Sequence, residues 1–172
     1  EIVYIRHYKD VFCRRRQDYE EQHHAQNLIL AKKTGSLIYQ GAPVCQNFGN
    51  TYFYYTSCMM NCIYDCEYCY LKGMYPSANI VIFVNIEDIF EELHRMLSEH
   101  PVYLCVSYDT DLLAFETMTG YVREWEHFVL EENKRSTYPL KIEIRTKSAN
   151  VKLFDDLIPV SYTHLTLPTN RE

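Results

Sequence analysis

The feature that most constrains this chain is a run of four closely spaced cysteines, Cys58, Cys62, Cys66 and Cys69. The last three have the spacing C-x3-C-x2-C. Thiolates are soft ligands for zinc and for iron–sulfur clusters, so this run predicts a metal site. The chain of 172 residues has seven cysteines in all, and it shows neither a signal peptide nor a disulfide framework. We therefore expect a reducing, cytoplasmic location with no membrane association.

Two kinds of metal site are consistent with the run. Cys62, Cys66 and Cys69 can hold three irons of a 4Fe–4S cluster and leave the fourth iron open. A structural zinc site also takes four thiolates, usually from two short pairs with a long spacer, whereas this run has a single C-x2-C. The spacing favours the three-cysteine cluster and leaves Cys58 as a buried thiol at a strand end, although Cys58 could also replace one ligand.

The composition indicates one packed domain and limits the class of partner. Hydrophobic residues make up 47% of the chain, and its formal net charge is −6. The negative charge argues against tight, sequence-independent binding of nucleic acid, which requires a basic surface. A nucleic-acid partner would have to meet a local patch, such as the basic run Arg14–Arg16, or the aromatic residues between Phe48 and Tyr55.

Hydrophobic periodicity predicts alternating helices and strands. We predict a long helix over residues 11–34, a loop or short hairpin over 36–49, strands over 51–56, 79–84, 102–107 and 140–145, and helices over 85–100, 119–132 and from Asn150 onward. Asn85 is the expected cap of the second of these helices. This βαβα order implies a parallel sheet or barrel, with the cysteine loop at the carboxyl end of a strand, where ligands bind in such folds.

The carboxyl-terminal stretch differs in character from the rest. Residues 160–169 (VSYTHLTLPT) match a translation of a transposon-end adapter used in sequencing libraries. We therefore expect residues 160–172 to be an assembly scar and exclude them from the fold. We divide the remainder into an N-terminal helical segment and loop, 1–49, and a core, 50–158, that is incomplete at its carboxyl end. We expect the natural protein to continue at both ends.

The residues that flank the cysteines resemble one family. The segment Cys66–Leu71 (CEYCYL) is similar to the Cys-x-Tyr-Cys-Tyr-Leu signature of spore photoproduct lyase-like radical S-adenosylmethionine (SAM) proteins. The segments Asn79–Phe90, Asp111–Phe115 and Ile142–Lys147 also resemble that family. The resemblance implies a partial (β/α) barrel of the radical SAM type, present here as a fragment. It also implies a 4Fe–4S cluster, SAM as the second cofactor and an electron donor such as a flavodoxin or ferredoxin.

The activity implied by the resemblance is the repair of a thymine dimer lesion in DNA by a 5′-deoxyadenosyl radical. On the same basis, Cys62, Cys66 and Cys69 match the cluster ligands. Tyr68 and Tyr70 match tyrosines beside the third ligand, with Tyr70 the better radical relay. Thr110 and Lys147 match positions that contact SAM, and a lysine suits its carboxylate. Packing of the two tyrosines over the cluster and a solvated Lys147 are the simpler interpretations.

One position departs from the family pattern. Tyr108 lies where the family has its hydrogen-donor cysteine, and Cys105 lies three residues earlier, within a predicted strand. Cys105 could substitute as the donor if its side chain faces the site, or it could be a core residue. The departure leaves three alternatives open: a lesion lyase, a radical SAM enzyme with another substrate, and a zinc-stabilised module that binds nucleic acid.

Overall fold

The computed structural model describes residues 1–149 of the chain. Within them, the strands are β1 (Leu28–Ala31), β2 (Ile38–Gln40), β3 (Phe53–Thr56), β4 (Met59–Met60), β5 (Ile80–Phe83), β6 (Val102–Cys105) and β7 (Leu140–Glu143). The α-helices are α1 (Lys9–Phe12), α2 (Tyr19–His24), α3 (Leu71–Met74), α4 (Ile86–Met96), α5 (Glu116–Thr119) and α6 (Tyr121–Arg135), and a 3-10 helix covers Leu112–Phe115. The helix predicted from Asn150 and the terminal segment 160–172 lie outside the described residues.

The strands form two sheets of mixed pairing. One sheet has the order β1-β5-β4 and the other the order β2-β3-β6-β7. The pairs β1–β5, β3–β6 and β6–β7 are parallel, whereas β2–β3 and β4–β5 are antiparallel. An isolated bridge between Ser57 and Ser107 lies outside these strands. The mixed α/β class is therefore confirmed, while the (β/α) barrel goes beyond what the two sheets show.

Helices α4 and α6 cover one face of the sheets and form the main hydrophobic core with them. All residues of β5 and β6 are buried, which explains why these strands are continuous apolar runs. Helix α4 contributes Ile86, Ile89 and Leu93. Trp125 of α6 is fully buried, and its indole N–H donates a hydrogen bond to Cys58 Sγ at 3.3 Å. The strands predicted over 79–84 and 102–107 and the helix predicted over 85–100 are confirmed.

The start of α6 depends on a buried carboxylate. Gly120 has a φ of 67°, a left-handed conformation that ends α5 and that suits glycine. Oε2 of Glu116 accepts the backbone N–H of Val122 at 2.7 Å, and Oε1 accepts that of Arg123 at 3.3 Å. These N–H groups have no partner inside the helix, so the carboxylate satisfies them and complements the helix dipole.

The prediction of one long helix over residues 11–34 is wrong. Arg16 has a φ of 61°, which interrupts the helix, and Asp18 caps a new one by accepting the N–H of Glu21 at 2.9 Å. The chain then forms β1, whose four residues pair in parallel with β5. Pairing between distant segments thus overrides local helix propensity here. In the N-terminal segment, residues 1–49, the only helices are the short α1 and α2.

The region 36–49, predicted as a loop or short hairpin, contributes β2 to the second sheet. Tyr39 of β2 pairs with Tyr55 of β3, and their rings stack at 5.1 Å. Gly41 follows β2 directly against the ring of Phe53, where an added Cβ would lie only 2.1 Å from the ring. The hairpin therefore requires glycine at this close approach. Within residues 1–149, no helix combines the length and apolarity needed to cross a membrane.

Replacing Glu116 with alanine should lower the free energy of unfolding by about 2 kcal/mol, because two buried backbone N–H groups lose their acceptor. Chemical denaturation followed by circular dichroism measures the change. Glu124→Ala, at an exposed position in the first turn of the same helix, is the matched control and should cost no more than about 0.5 kcal/mol. Equal losses in the two variants would contradict the capping role.

Candidate functional site

The cysteine loop connects β4 to α3, and its entry is held by a buried asparagine. Asn61 adopts a φ of 67°, a left-handed conformation that asparagine tolerates better than most residues. Its side-chain amide donates to the carbonyls of Ser77 at 2.6 Å and Asn79 at 2.8 Å. Its own carbonyl accepts the hydroxyl of Thr110 at 2.7 Å. Asn61 therefore fixes the start of the loop against both neighbouring segments.

The three predicted ligands line one cavity of about 390 Å³, hereafter the cysteine cavity. Its walls consist of Cys62, Tyr64, Cys66, Tyr68, Cys69, Tyr70, Leu71, Ser107, Tyr108, Thr110, Asp111, Arg145, Thr146 and Lys147. The structure thus brings together the cysteines, Tyr68, Tyr70, Thr110 and Lys147, all of which were candidates from the sequence. Their assigned roles remain predictions.

The donor set of the cysteine cavity fits an iron–sulfur cluster. Among the described residues, no three cysteine, histidine or carboxylate side chains converge on the position of a single metal ion. Cys62, Cys66 and Cys69 all line the cysteine cavity, and a cubane of four irons is a larger body than one ion. Burial raises the pKa of Cys62 to about 11, although the N–H groups of Tyr64 and Asp111 oppose the shift. Binding of iron would therefore release the thiol proton.

Asp111 is a buried carboxylate that ties the cysteine loop to the segment after β7. Its Oδ1 accepts the hydroxyl of Thr146 at 2.7 Å, and its Oδ2 accepts the backbone N–H of Lys147 at 2.5 Å. The same carboxylate caps the 3-10 helix by accepting the N–H of Ala114 at 3.2 Å. The backbone N–H of Asp111 donates to Cys62 Sγ. One residue thereby positions Cys62, a candidate cluster ligand, and Lys147, a candidate SAM contact.

The ammonium group of Lys147 reaches into the cysteine cavity. Its Nζ lies 3.9 Å from the centroid of the Tyr68 ring, a cation–π distance. Burial alone would lower the pKa of Lys147, but hydrogen bonds with Tyr68 and Cys66 outweigh burial and raise it. Lys147 is therefore positively charged at neutral pH and is available to a carboxylate ligand.

Tyr70 contacts Tyr108, the residue at the departure from the family pattern. The hydroxyl of Tyr70 donates to the backbone carbonyl of Tyr108. Burial and the nearby carboxylate of Asp109 raise the pKa of Tyr70, so the phenol is protonated at neutral pH. Tyr108 in turn stacks on Tyr55 at 4.2 Å between ring centroids. A continuous set of tyrosines therefore leads from the cysteine cavity across β6 to β3.

The sequence interpretation missed Cys45. It lies in the loop between β2 and β3, where its Sγ is 3.4 Å from the hydroxyl of Tyr108. Cys105 is fully buried in β6, within the same hydrophobic cluster, and burial raises its pKa to about 12. Cys45 and Cys105 are therefore the two thiols of the hydrophobic cluster that includes Tyr108. No local motif surrounds Cys45, so only the folded chain could reveal this contact.

Cys58 lies apart from the other three cysteines. It is buried in the main core, where it accepts the hydrogen bond from Trp125, and burial raises its pKa to about 12. The prediction of a buried strand-end thiol is confirmed. A zinc site of four thiolates would need Cys58 to leave this core, which disfavours the zinc alternative.

The fold affects the two surfaces that the sequence offered for nucleic acid, the run Arg14–Arg16 and the aromatic residues between Phe48 and Tyr55, in different ways. Arg14, Arg15 and Arg16 are exposed, but they follow α1 and do not share a long helix with Lys33. Phe53 is buried in the core beneath Gly41. The run Arg14–Arg16 is therefore an exposed basic patch that lies outside any long helix.

No protein-family model and no curated protein sequence matches the chain. Three solved structures of spore photoproduct lyase are similar to it. The enzyme complexed with dinucleoside spore photoproduct is 18% identical with a TM-score of 0.59. A single mutant with that ligand is 17% identical with a TM-score of 0.60, and a double mutant with bound AdoMet and the same ligand is 19% identical with a TM-score of 0.59.

The similarity covers 76% of this chain and 36% of each matched chain. The chain therefore spans about a third of the length of these structures. Because identity is low, the comparison demonstrates a shared fold, and it agrees with the family resemblance found in the cysteine motif. The predicted resemblance is confirmed at this level.

Replacing Asp111 with asparagine should loosen the segment that carries Lys147, because an amide cannot accept through both side-chain atoms. We expect hydrogen exchange of the Lys147 amide to accelerate about tenfold, which mass spectrometry of short peptides measures. Asp65→Asn is the control, since Asp65 is exposed and pairs with Lys72 on the surface. Unchanged exchange over residues 144–149 in the Asp111 variant would contradict the positioning role.

Proposed function

We propose that this chain belongs to a radical SAM enzyme that acts on a thymine lesion in DNA. The observation that supports it most is the convergence of Cys62, Cys66 and Cys69 on one cavity with Lys147 and Thr110. The three cysteines of the C-x3-C-x2-C motif are the proposed cluster ligands, and the cavity has space for SAM beside them. The shared fold with spore photoproduct lyase adds independent support.

The chain's own residues are suited to hold both cofactors. Cys62, Cys66 and Cys69 are the ligands of a 4Fe–4S cluster, and the cavity beside them receives SAM. When bound, these cofactors supply a 5′-deoxyadenosyl radical that abstracts a hydrogen atom from the substrate. Lys147 attracts the SAM carboxylate, and the cavity excludes bulk water from the radical. An external electron donor such as a flavodoxin or ferredoxin provides the reducing electron.

Thr110 and Asp111 organise the same cavity from the loop after β6. Thr110 donates to the carbonyl of Asn61, which immediately precedes Cys62. Asp111 holds the backbone of Lys147. Both residues therefore act mainly as positioning groups, because their polar atoms are already engaged with the protein.

The structural neighbours support the proposed substrate class. The matched structures hold dinucleoside spore photoproduct, and one of them also holds AdoMet. A DNA lesion formed between two thymines is therefore the proposed substrate. The net charge of −6 means that phosphate binding would depend on local basic groups such as Arg14–Arg16.

Return of a hydrogen atom to the product requires a donor near Tyr108. We assign this role to Cys45, whose thiol contacts the hydroxyl of Tyr108 from a loop, where it is only half-buried. The S–H bond is weak enough to donate a hydrogen atom to a carbon radical. The hydroxyl of Tyr108 can then give its hydrogen atom to the resulting thiyl radical, and the tyrosyl radical that this leaves on Tyr108 returns to tyrosine by taking up an electron from the external donor and a proton. Cys105 is the second candidate, but it is fully enclosed in the core.

A radical SAM enzyme with another substrate is the second candidate function. Tyr108 occupies the position of the family's donor cysteine, and this single difference favours altered chemistry at the substrate. The cofactor residues are the same in both candidates. The distribution of products from a lesion-containing dinucleotide separates them.

Cluster content tests the cofactor assignment. The full-length protein, reconstituted anaerobically, should bind about four irons and four sulfides per chain. Cys62→Ala should lose the cluster and the release of 5′-deoxyadenosine. Cys58→Ala is the matched control, because Cys58 lies in the core, and it should keep its iron with a stability loss of about 1 kcal/mol. Bound zinc without sulfide, or equal metal loss in both variants, would overturn the assignment.

Product analysis tests the hydrogen donor. With a dinucleoside spore photoproduct as substrate, Cys45→Ala should divert most turnovers from thymine to unquenched adducts, while SAM cleavage continues. Cys105→Ala should give the normal products, since its thiol is enclosed. Chromatography with mass spectrometry measures both. Normal thymine yield from the Cys45 variant would exclude Cys45 as the donor.

A further inference from the structure

A second cavity, separate from the cysteine cavity, lies between the two sheets and the N-terminal segment. It has a volume of about 190 Å³ and is hereafter called the Lys33–Asp109 cavity. Its walls include Lys33, Tyr39, Tyr55, Ser57, Phe83 and Asp109, with residues His7–Lys9 closing one side. Tyr55 of this cavity stacks on Tyr108 of the cysteine cavity, so the two spaces are neighbours.

Asp109 lines this cavity and has one unsatisfied acceptor atom. The residue is only 6% exposed. Its Oδ2 accepts a hydrogen bond from the hydroxyl of Ser57, and the hydroxyl of Tyr75 also interacts with the carboxylate and lowers its pKa. Its Oδ1 is buried and has no hydrogen-bond partner. A buried carboxylate oxygen without a donor is costly, so this atom points to a missing partner that carries an N–H or O–H group.

Lys33 presents a donor to the same cavity. The residue is 8% exposed, and its Nζ donates to the carbonyl of Ser57 at 3.1 Å. The rings of Tyr39 and Phe83 lie 5.2 and 5.0 Å from Nζ. Among the described residues, no carboxylate forms an ion pair with Lys33, although its ammonium and Asp109 influence each other electrostatically. An ammonium group has three protons, so at least one remains for a ligand.

The placement of Lys33 is specified by the fold. Asn85, the residue before α4, accepts the backbone N–H of Lys33 at 2.7 Å and donates to its carbonyl at 3.0 Å. Asn85 was predicted to cap α4, but its side-chain oxygen is used for this contact instead. Burial lowers the pKa of Lys33 and raises that of Asp109, because burial disfavours the charged form of each group. A ligand that hydrogen-bonds to both groups would offset this cost.

The size and walls of the cavity limit the ligand. A volume of 190 Å³ is well above the space that one water needs and below the roughly 300 Å³ of a drug-sized pocket. The rings of Tyr39, Tyr55 and Phe83 make much of the wall aromatic. A single planar ring with a donor next to an acceptor matches this combination of walls and polar groups.

We propose that the Lys33–Asp109 cavity binds the imide edge of one thymine base, with the N3–H donating to Asp109 Oδ1 and the adjacent carbonyl accepting from Lys33 Nζ. This inference rests on the proposed function, because it assigns a base-binding site to the same lesion substrate. The base lies among the aromatic rings of Tyr39, Tyr55 and Phe83 that line the cavity, and Tyr55 stacks directly on Tyr108. The same site rejects cytosine, which presents an acceptor where thymine has the N3–H.

Ligand-observed NMR titration of the full-length, anaerobically purified protein tests the proposal. Thymidine, N3-methylthymidine and deoxycytidine are compared, and thymidine should bind about tenfold more tightly than the other two. Asp109→Asn should reduce or reverse the preference for thymidine over deoxycytidine, because an amide can donate where the carboxylate accepts. Lys33→Met should weaken thymidine binding about tenfold. Glu124→Gln and Lys134→Met, which change exposed groups on α6, should bind as the parent does.

The outcomes separate this inference from the proposed function. Iron and sulfide are measured on the same samples, and circular dichroism checks that each variant is folded. A cluster-containing protein that binds no thymidine, or that binds N3-methylthymidine equally well, overturns the base site alone. Selective thymidine binding without any cluster supports the base site and overturns the radical SAM assignment. An unchanged base preference in a folded Asp109→Asn variant also overturns the base site.

Discussion

The carboxylate of Asp111 is the interaction on which the cysteine cavity depends. It is buried, yet it accepts hydrogen bonds from Ala114, Thr146 and Lys147, while its backbone N–H reaches Cys62 Sγ. Burial of a charged group is tolerated only when its lone pairs are occupied in this way. The loops after β4, β6 and β7 are therefore held in one arrangement, although they are far apart in sequence.

The tyrosines between the two cavities give the site its second organising feature. Tyr70 contacts Tyr108, which stacks on Tyr55, which stacks on Tyr39. This row of tyrosines runs from the cysteine loop to the Lys33–Asp109 cavity. Closely packed aromatic rings exclude water and are suited to carry a radical between separated groups. The proposed chemistry and the proposed base recognition would thus share one wall.

The chain shares a fold with spore photoproduct lyase but differs from it in most of its side chains. A common fold at less than 20% identity implies that packing has been kept while most side chains differ. Tyr108 is one such difference, and the thiol of Cys45 approaches its hydroxyl from another loop. A function that needs a thiol near this position can therefore be supplied by a different segment of the chain. The overall similarity of the folds does not reveal the contact between Cys45 and Tyr108, which depends on individual side chains.

Some features of the protein followed from the sequence by itself. The cysteine spacing predicted Cys62, Cys66 and Cys69 as a local set of ligands. The apolar runs of β5 and β6 and the periodicity of α4 predicted the core elements, because these signals depend on neighbouring residues. Tertiary structure decided the rest. β1 replaced the end of a predicted helix because it pairs with β5, and Asn85 contacts the backbone of Lys33 instead of capping α4. Cys58 was separated from its neighbours in the motif, and Cys45 was brought to Tyr108, by packing between distant segments, which no local pattern encodes.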